Sequence, residues 1–517
     1  MPAYRSAFLL ALLLGAAAAI AAPPDIGEAL KQVAPTGVPV RAAPPLPELG
    51  GAVAEPPLKK LVGDKVSVKE FRIAGNSAVA TEDLRPLIAE YAGKELTLAE
   101  IEGAAAVITR HYRSKGYFVA RAYVPAQEIK DGIVTLRVIE GNYGKFQLQN
   151  KSLVDDPVVQ GMLDDIKDRD IVSTDTLERA MLIINDTPGV AVTRADVLPG
   201  EKVGTSDFTL ATDATARFNG YVLADNHGSL YTGRNRLSFG GDINSPLGRG
   251  DRLSVSGMTT NGQWLTNGRL AYSTPLAGNG LRGELAAART TYQLTDIYAP
   301  LDAVGRADTL EATFTYPFKR TRLASIEGSL NVASRSMLDE IRSTSTQTPK
   351  KARIATAGVK AVADHFLLGL AGTSVAQVSL SYGHLEINEA GARALDAAGV
   401  NTQGNFGKAN LNLSRNALLT NRLSLSASLR LQKALMGKNL DGSERMSVSG
   451  AAGVKAYPSS EVSGENAYLG SVELLYALPP VEQVKYSVGL FADTGRAAME
   501  NQVGTTAPRR ISDFGIG

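Results

Sequence analysis

The chain has 517 residues, of which 44% are hydrophobic, so packed cores are expected and wholesale disorder is excluded. Its 54 Lys and Arg residues nearly balance 52 Asp and Glu residues, which argues against a nucleic-acid partner. The absence of cysteine excludes disulfides, cysteine-ligated metal sites and thiol catalysis. A mean hydropathy of −0.05 and one long apolar run, residues 7–22, exclude a bundle of transmembrane helices but not a transmembrane β-barrel.

The amino terminus has the three parts of a secretory signal peptide. Arg5 provides the charged start, the apolar run follows, and small residues at Ala19 and Ala21 form a cleavage site. We therefore expect residues 1–21 to be removed on export. The mature chain then lies in the periplasm or the outer membrane of a Gram-negative bacterium.

Residues 22–61 are rich in proline and predict an extended, semi-rigid linker. Within this segment, residues 25–33 have the spacing of a short helix. Asp25 is a candidate N-cap, and the apolar residues Ile26, Leu30 and Val33 recur on one helical face.

Residues 62–141 and 142–213 each show the order β-α-α-β-β, which predicts a tandem repeat of one small α+β domain. In the first repeat, Thr97 and Glu100 form a capping box that begins a helix, and Gly116 ends it. In the second repeat, Asp175 is expected to begin the corresponding helix. The two helix-ending glycines, Gly116 and Gly189, are 73 residues apart.

From residue 214 to 517 the hydrophobic pattern alternates with period two, as in segments 309–316 and 422–432. Segments of about ten alternating residues are typical of strands in an outer-membrane β-barrel. Tight connections such as 245–250 alternate with long ones such as 436–465, which is also typical of such barrels. The pattern predicts a transmembrane antiparallel β-barrel with fourteen visible strands. A soluble β-sandwich is the alternative, and the secretory signal disfavours it.

No catalytic or metal-binding pattern is found in the sequence. Residues 278–283 fit the pattern G-x-G-x-x-G, but they precede a strand instead of a helix and therefore predict a turn. The four histidines are scattered without the spacing of metal ligands. We therefore expect no enzyme activity, no cofactor and no metal.

A long connection and a later strand carry opposite charges that are candidates for an ion pair. Lys455 lies in the connection, and Asp493 lies on a strand whose other face is apolar, so Asp493 and Phe491 are expected to face the lumen. A lysine held beside a lumenal carboxylate would anchor a loop that folds inward. The alternative is that both groups are solvated.

The order of these modules resembles the two-partner secretion transporters, the haemolysin/haemagglutinin secretion–activation (TpsB) proteins. The small domains are similar to POTRA domains of that family at residues 124–127 and 138–141, and the start of the barrel is similar at 225–228 and 244–248. The resemblance extends over the whole mature chain. It implies an outer-membrane transporter, with its POTRA domains in the periplasm, that secretes an unfolded partner exoprotein to the cell surface without nucleotide hydrolysis.

The resemblance also implies an anchor between the tip of the sixth loop and the barrel wall, in which Lys455 pairs with Asp493. In this chain Lys455 replaces the arginine of the family, so a point charge replaces a bidentate fork, and Ala456 replaces a glycine. The motif positions are Val454, Lys455, Ala456 and Tyr457 in the loop and Phe491, Asp493 and Gly495 in the wall.

Two further expectations follow from the resemblance. The short helix with Ile26, Leu30 and Val33 is expected to plug the resting barrel and to leave when the client engages. The family closes its barrel with sixteen strands, so a pattern of fourteen predicts that the sequence lacks the last two. The alternative is a barrel that closes with fourteen strands.

The first small domain is the expected docking site for the client, because an extended chain can add to a strand edge. We predict the edge 117–124, with Tyr117, Phe118 and Val119. We also predict a helix face formed by Ile101, Ile108 and Tyr112. For each of these residues, packing in the core of the domain is the alternative.

The expected partners of a monomeric transporter are the secreted exoprotein, outer-membrane lipid and the barrel-assembly machinery. Two other functions are compatible with the same modules. One is an outer-membrane protein insertase of the POTRA–barrel superfamily, and the other is a passive porin with periplasmic domains.

Overall fold

The computed structural model describes residues 23–33, 45–47, 49–50, 65–167, 171–202, 204–479, 486–504 and 507–517. The predicted signal peptide at 1–21 and most of the predicted linker lie outside these residues. The first described element is helix α1 (Ile26–Gln32), followed by a two-residue strand, β1 (Leu49–Gly50).

The first small domain has the α+β architecture that the sequence predicts. Strand β3 (Glu70–Ala74) pairs in parallel with the central strand β6 (Ile133–Ile139), and β5 (Arg121–Tyr123) pairs with β6 in the antiparallel direction. The capping box is formed, since the Thr97 side chain accepts from the Glu100 N–H and the Glu100 carboxylate caps Thr97 in return. The elements are β2 (Val66–Val68), β3 (Glu70–Ala74), α2 (Thr81–Leu84), a 3₁₀ helix (Arg85–Tyr91), β4 (Lys94–Leu96), α3 (Leu98–Ser114), β5 (Arg121–Tyr123) and β6 (Ile133–Ile139).

The second small domain repeats the element order and has its own hydrophobic core. Its sheet has the order β1-β8-β9-β7, so the short strand β1 forms one edge. The helix predicted to begin at Asp175 begins one residue earlier, at Thr174. Its N-cap is Ser173, whose hydroxyl accepts from the Thr176 N–H at 3.2 Å. The elements are β7 (Asn142–Lys151), α4 (Asp156–Lys167), α5 (Thr174–Asn185), β8 (Val190–Pro199) and β9 (Thr205–Ala214).

The rest of the chain forms one antiparallel sheet of fourteen strands, each paired with the next along the chain. Several strands continue beyond the predicted segments, because polar flanking residues still join the hydrogen-bonded ladder. The strands are β10 (Phe218–Asp225), β11 (Arg236–Asn244), β12 (Arg252–Thr260), β13 (Leu265–Pro275), β14 (Arg282–Gln293), β15 (Ala303–Arg320), β16 (Ala324–Ile341), β17 (Thr346–Leu367), β18 (Leu370–Ile387), β19 (Gly404–Leu418), β20 (Leu423–Leu435), β23 (Asn466–Ala477), β24 (Ser487–Ala498) and β25 (Arg509–Ile516).

Two long connections of this sheet contain further elements. Helix α6 (Ala390–Ala398) lies between β18 and β19. The connection of residues 436–465, here called the long loop, contains β21 (Met446–Ser447) and β22 (Ser463–Gly464), which pair with each other. In the described ranges, no helix has both the length and the hydropathy needed to cross a membrane.

The sheet curls around α1. Ile26 and Ala29 lie in one buried cluster that includes a side chain from every strand between β12 and β20. The long loop approaches both end strands, since Ser459 Oγ donates to the His227 carbonyl just after β10 and the Ala456 N–H donates to Asp513 on β25.

The second small domain contacts the short turns at one end of the sheet. The Asp155 N–H donates to the Gly248 carbonyl at 2.7 Å, and Arg320 binds the Asp186 carboxylate with two hydrogen bonds of 2.7 and 2.9 Å. This end of the sheet therefore faces the second small domain, and the long loop lies within the curled sheet.

Candidate functional site

Helix α1 occupies the interior of the curled sheet. Its first turn is capped by Asp25, whose carboxylate accepts from the Glu28 N–H at 3.1 Å. Ile26 and Ala29 are buried at 1% and 2% exposure, whereas Leu30 and Val33 pack at the margin of the same cluster. The structure therefore places all three predicted plug residues against the interior wall and adds Ala29 to them.

A charged cluster surrounds the beginning of α1. The Ile26 N–H donates to Asp339 on β16 at 2.8 Å. The Lys350 ammonium on β17 lies 2.8 Å from Asp441 of the long loop and 3.6 Å from Asp25. Burial alone would raise the pKa of Asp441, but the Lys350 charge and hydrogen bonds from Ser443 hold it below its ordinary value. One lysine of the wall thus joins the helix to the loop.

The end of α1 is fixed by Gln32, a buried residue that the sequence pattern did not single out. Its side-chain oxygen accepts from the Ser229 N–H at 3.2 Å and from the Thr232 hydroxyl at 3.0 Å. Its backbone carbonyl accepts from Arg236 at 2.7 Å, and Arg236 is held by both oxygens of Asp225. The sequence contained one indication of this contact, since Gln32 is a polar residue next to the apolar positions of the helix.

The helix and the long loop are packed directly against each other. A Cβ atom on Gly27 would lie 2.3 Å from the Ser443 nitrogen, so only glycine allows this close approach. Glu28 accepts a hydrogen bond of 2.9 Å from the Ser463 hydroxyl on the same side. The loop is fixed to the wall by Glu444, which forms ion pairs with Arg335 at 2.9 Å and Lys408 at 2.8 Å.

The tip of the long loop reaches the wall at β24. The Lys455 ammonium lies 2.8 Å from Asp493 Oδ2 and 4.3 Å from the centroid of the Phe491 ring. The Asp493 side chain is fully buried, and Ser471 donates to its second carboxylate oxygen. Lysine therefore satisfies one carboxylate oxygen and leaves the other to a hydroxyl, which is the geometry expected for a point charge.

The remaining residues of the two predicted motifs lie around this ion pair. Val454 is fully buried, and Tyr457 packs against the same small cluster. A Cβ atom on Gly495 would lie 3.0 Å from the Val448 side chain, so the glycine lets the loop approach the wall. Ala456 is not among the described residues with positive φ, so alanine is accommodated there without backbone strain.

The structure corrects the predicted helix face of the first small domain. Ile101, Ile108 and Tyr112 are 1%, 0% and 0% exposed, because this face of α3 packs against the domain's own sheet. Their side chains are therefore unavailable to a client while the domain is folded, and the alternative of core packing holds.

The predicted strand edge of the first small domain is also shorter than expected. Tyr117 packs on the core of its own domain, whereas Phe118 and Val119 pack against the core of the second small domain. The two domains are further joined by the Thr174 N–H, which donates to the Gly116 carbonyl at 2.9 Å. Within the predicted segment 117–124, only residues 121–123 form a strand, β5, which lies at one edge of this sheet.

Tyr112 has a structural hydrogen bond that the sequence did not indicate. Its hydroxyl donates to Glu140 at 2.7 Å, and the same carboxylate accepts from the N–H groups of Ser77 and Ala78. Burial alone would raise the pKa of Glu140, but these hydrogen bonds outweigh it and hold the pKa below its ordinary value. The carboxylate thus joins α3 to the turn after β3, and among the described residues no cation forms an ion pair with it.

Comparisons with known families match both parts of the chain. The model of the POTRA domain, ShlB-type, matches residues 66–141, and that of the haemolysin secretion/activation protein ShlB/FhaC/HecB matches residues 204–515. The chain is similar to the heme/hemopexin transporter protein HuxB of Haemophilus influenzae, with 28% identity over 84% of this chain and 76% of the relative. It is also similar to the outer membrane transporter CdiB of Dickeya dadantii, with 25% identity over 40% of this chain and 36% of the relative.

Solved structures show a similar fold. CdiB from Escherichia coli matches with a TM-score of 0.71 and 19% identity, over 95% of this chain and 88% of that one. CdiB from Acinetobacter baumannii matches with a TM-score of 0.62 and 17% identity, over 92% of this chain and 87% of that one. At these identities the likeness concerns the fold alone.

Proposed function

Because the chain belongs to the haemolysin secretion/activation family ShlB/FhaC/HecB, it is an outer-membrane transporter that secretes a partner exoprotein, and we propose that the interior of the fourteen-stranded sheet is the passage. The family consists of transporters, not enzymes. One observation carries the proposal: α1 and the long loop pack against each other within this interior. They are the closed gate of a passage that opens when both move.

The contacts that hold α1 in the interior of the sheet are weak enough for the helix to leave it. A seven-residue helix is not stable alone, so its order here depends on its surroundings. Burial of Ile26 contributes about 2 kcal/mol, and each hydrogen bond at the two ends about 1 kcal/mol net. These contributions are small enough for a bound client to replace them.

The loop tip is the second part of the proposed gate. The Asp493 carboxylate is fully buried, and the Lys455 ammonium is the cation that compensates it. Removal of one partner from such a pair leaves an uncompensated charge and costs about 3 to 5 kcal/mol when both are buried, and less here because Lys455 is 35% exposed. The pair therefore holds the loop tip on the wall and sets how readily it swings away.

The second small domain is, in this proposal, a second POTRA copy, because it has the same order of strands and helices as the first. Both copies lie in the periplasm and present an extended, unfolded client to the sheet. No nucleotide is available there, so folding of the client at the cell surface gives the direction of transport.

The test compares the culture medium of the producing bacterium with and without the gene. We expect at least one exported protein to be lost from the medium on deletion and restored by the intact chain, and that protein is the partner exoprotein. The purified full-length protein and a variant lacking residues 25–33 are then compared in planar bilayers, where the deletion should raise conductance because the interior is vacated.

Two results would contradict this function. A conductance that is the same with and without residues 25–33, with no protein lost from the medium, would indicate a passive porin. A loss of unrelated barrel proteins from the outer membrane on deletion, with secretion unchanged, would indicate an insertase.

A further inference from the structure

An open cavity, here called the rim cavity, lies at the end of the large sheet opposite the second small domain. The connections after β10, β12 and β14 form it, whereas the second domain contacts the turn after β11. Because antiparallel strands alternate in direction, these connections and that turn lie at opposite ends of the sheet. The cavity has a volume of about 580 Å³. It is lined by amide, charged and indole side chains, namely Asn226, Arg234, Asn235, Asn261, Trp264 and Asp296.

The rim cavity opens on the outward face of the sheet. Arg236 and Leu265 face the interior, since Arg236 holds the end of α1 and Leu265 belongs to the buried cluster around that helix. Side chains alternate between the two faces of a strand, so the preceding residues, Asn235 and Trp264, point outward. The cavity is therefore separated from the interior by the wall of the sheet.

Next to the cavity the outward face becomes apolar. Leu237 and Phe239 on β11 are each 47% exposed, and Val255 on β12 and Leu270 on β13 are exposed to a similar extent. In an outer-membrane protein such a band of exposed apolar side chains lies against the hydrocarbon of the bilayer. The rim cavity lies beyond this band, at the level of the lipid head groups of the outer leaflet.

Hydrogen bonds between the three connections form the cavity without a ligand. The Asn235 N–H donates to Asn261 Oδ1 at 3.0 Å, and the Asn261 N–H donates to the Asn235 carbonyl at 2.9 Å. The Thr295 N–H donates to the Tyr231 carbonyl at 2.9 Å and so joins the connection after β14 to the one after β10. A preformed cavity binds a ligand with little cost of ordering the protein.

The side chains in the rim cavity have the chemistry of a site for a phosphorylated sugar. The Arg234 guanidinium can bind a phosphate through two parallel hydrogen bonds. The Asn226 amide has both donors and an acceptor for sugar hydroxyls, and the Asp296 carboxylate adds acceptors. Trp264 contributes an apolar ring face and an N–H. Gly262 has a φ of 70°, and a Cβ atom there would overlap the indole ring, so glycine gives the ring its place.

We propose that the rim cavity binds the phosphorylated saccharide head group of lipopolysaccharide, the lipid of the outer leaflet of a Gram-negative outer membrane. Arg234 holds the phosphate, Asp296 and the amides bind the hydroxyls, and a sugar ring lies on Trp264. The inference depends on the outer-membrane location and not on the passage through the sheet. It can therefore fail while the proposed function stands.

Fluorescence measures this binding directly, because Trp264 is the only tryptophan of the chain. The full-length protein in detergent is titrated with lipopolysaccharide, with its phosphorylated oligosaccharide freed of acyl chains, and with phosphatidylglycerol. We expect a saturable change of emission with the first two and none with phosphatidylglycerol. The oligosaccharide should bind more weakly than the intact lipid, because it lacks the acyl chains that hold it at the surface of the sheet.

Two results of these titrations would overturn the inference. An equal response to phosphatidylglycerol would show that Trp264 is an ordinary interfacial aromatic residue without a ligand of its own. A response to lipopolysaccharide but not to the oligosaccharide would show that the acyl chains, not the head group, account for the binding.

A pair of arginine variants tests the residue that holds the phosphate. Arg234→Gln should raise the dissociation constant for lipopolysaccharide about tenfold, because it removes charge-assisted hydrogen bonds. Arg342→Gln is the matched control, since Arg342 is an exposed arginine in the connection after β16, at the same end of the sheet but outside the rim cavity. It should leave the constant unchanged. Equal constants for the two variants would overturn the inference, and if Arg234→Gln does not fold, the titrations of the natural chain decide.

Discussion

Lys455 and Lys350 both take part in connecting the long loop with the wall of the sheet, and their surroundings differ. Lys455 at the loop tip faces one carboxylate, Asp493, and an aromatic ring. Lys350 on β17 faces Asp441 of the loop and Asp25 of the helix cap. The first lysine joins two parts of the molecule and the second joins three. The loop tip and helix α1 are therefore held by separate ion pairs, and Lys350 joins the helix to the loop.

Replacement of Lys350 should have the largest effect, because of the two lysines this one alone contacts both the helix cap and the long loop. Lys350→Met leaves Asp25 and Asp441 close together without their cation, and loss of a buried partner costs about 3 to 5 kcal/mol. We expect channel openings in planar bilayers to become about a hundredfold more frequent. Lys351→Met, at the adjacent position of the same strand, is the control. Similar opening by both variants would show that Lys350 does not hold the gate.

Charge exchange at the loop tip should have the next largest effect. The quantity affected is the amount of exoprotein secreted. We expect Lys455→Asp or Asp493→Lys alone to reduce the exoprotein in the medium by about tenfold, because each replaces the ion pair of 2.8 Å by two like charges that face each other. The double variant should regain part of the secretion, and Lys455→Arg should retain it. A double variant no better than the worse single variant would show that the pair is not a functional unit.

Glu140 extends the comparison, because this buried carboxylate has hydrogen-bond donors but, within the part of the chain that the structure describes, no ion pair. Glu140→Gln removes its charge, and bonds to a charged group are worth about 1.5 to 3 kcal/mol each, so we expect the first small domain to be about 2 kcal/mol less stable at pH 7. Since the pKa of Glu140 is lowered on folding, its contribution is complete above about pH 4.3 and is lost as the pH falls further.

Hydrogen exchange of the α3 amides in the full-length protein measures this difference. The natural chain and the Glu140→Gln variant should differ at pH 7 and converge towards pH 3. A difference independent of pH would show that the carboxylate charge does not stabilise the domain.

The smallest effect is expected at the opposite end of the plug helix. Gln32→Ala removes the oxygen that accepts from Ser229 and Thr232, which costs about 1 kcal/mol and should make channel openings about fivefold more frequent. Gln32→Glu retains an acceptor oxygen beside Arg236 and should behave as the natural chain does. Equal opening by both variants would indicate that the backbone bond to Arg236 alone holds this end.

The sequence predicted the elements whose residues lie close together along the chain. The capping box at Thr97 and the fourteen alternating segments were recognisable because helix caps and strand faces depend on neighbouring residues. The loop and wall motifs were found through resemblance to a family, and the structure places Lys455 beside Asp493. The client face of Ile101, Ile108 and Tyr112 was misassigned, because periodicity identifies an apolar face without showing what covers it.

The amino-acid sequence by itself determined the order of modules, the strand pattern and the family, since these depend on local periodicity and on motifs. Only the tertiary structure decided which segments meet in the interior. Asp25, Lys350 and Asp441 come from three distant parts of the chain, and their pairing exists only because the sheet curls around the helix. The same holds for β1 on the edge of β8, since two backbone pairs leave no pattern of side chains in the sequence.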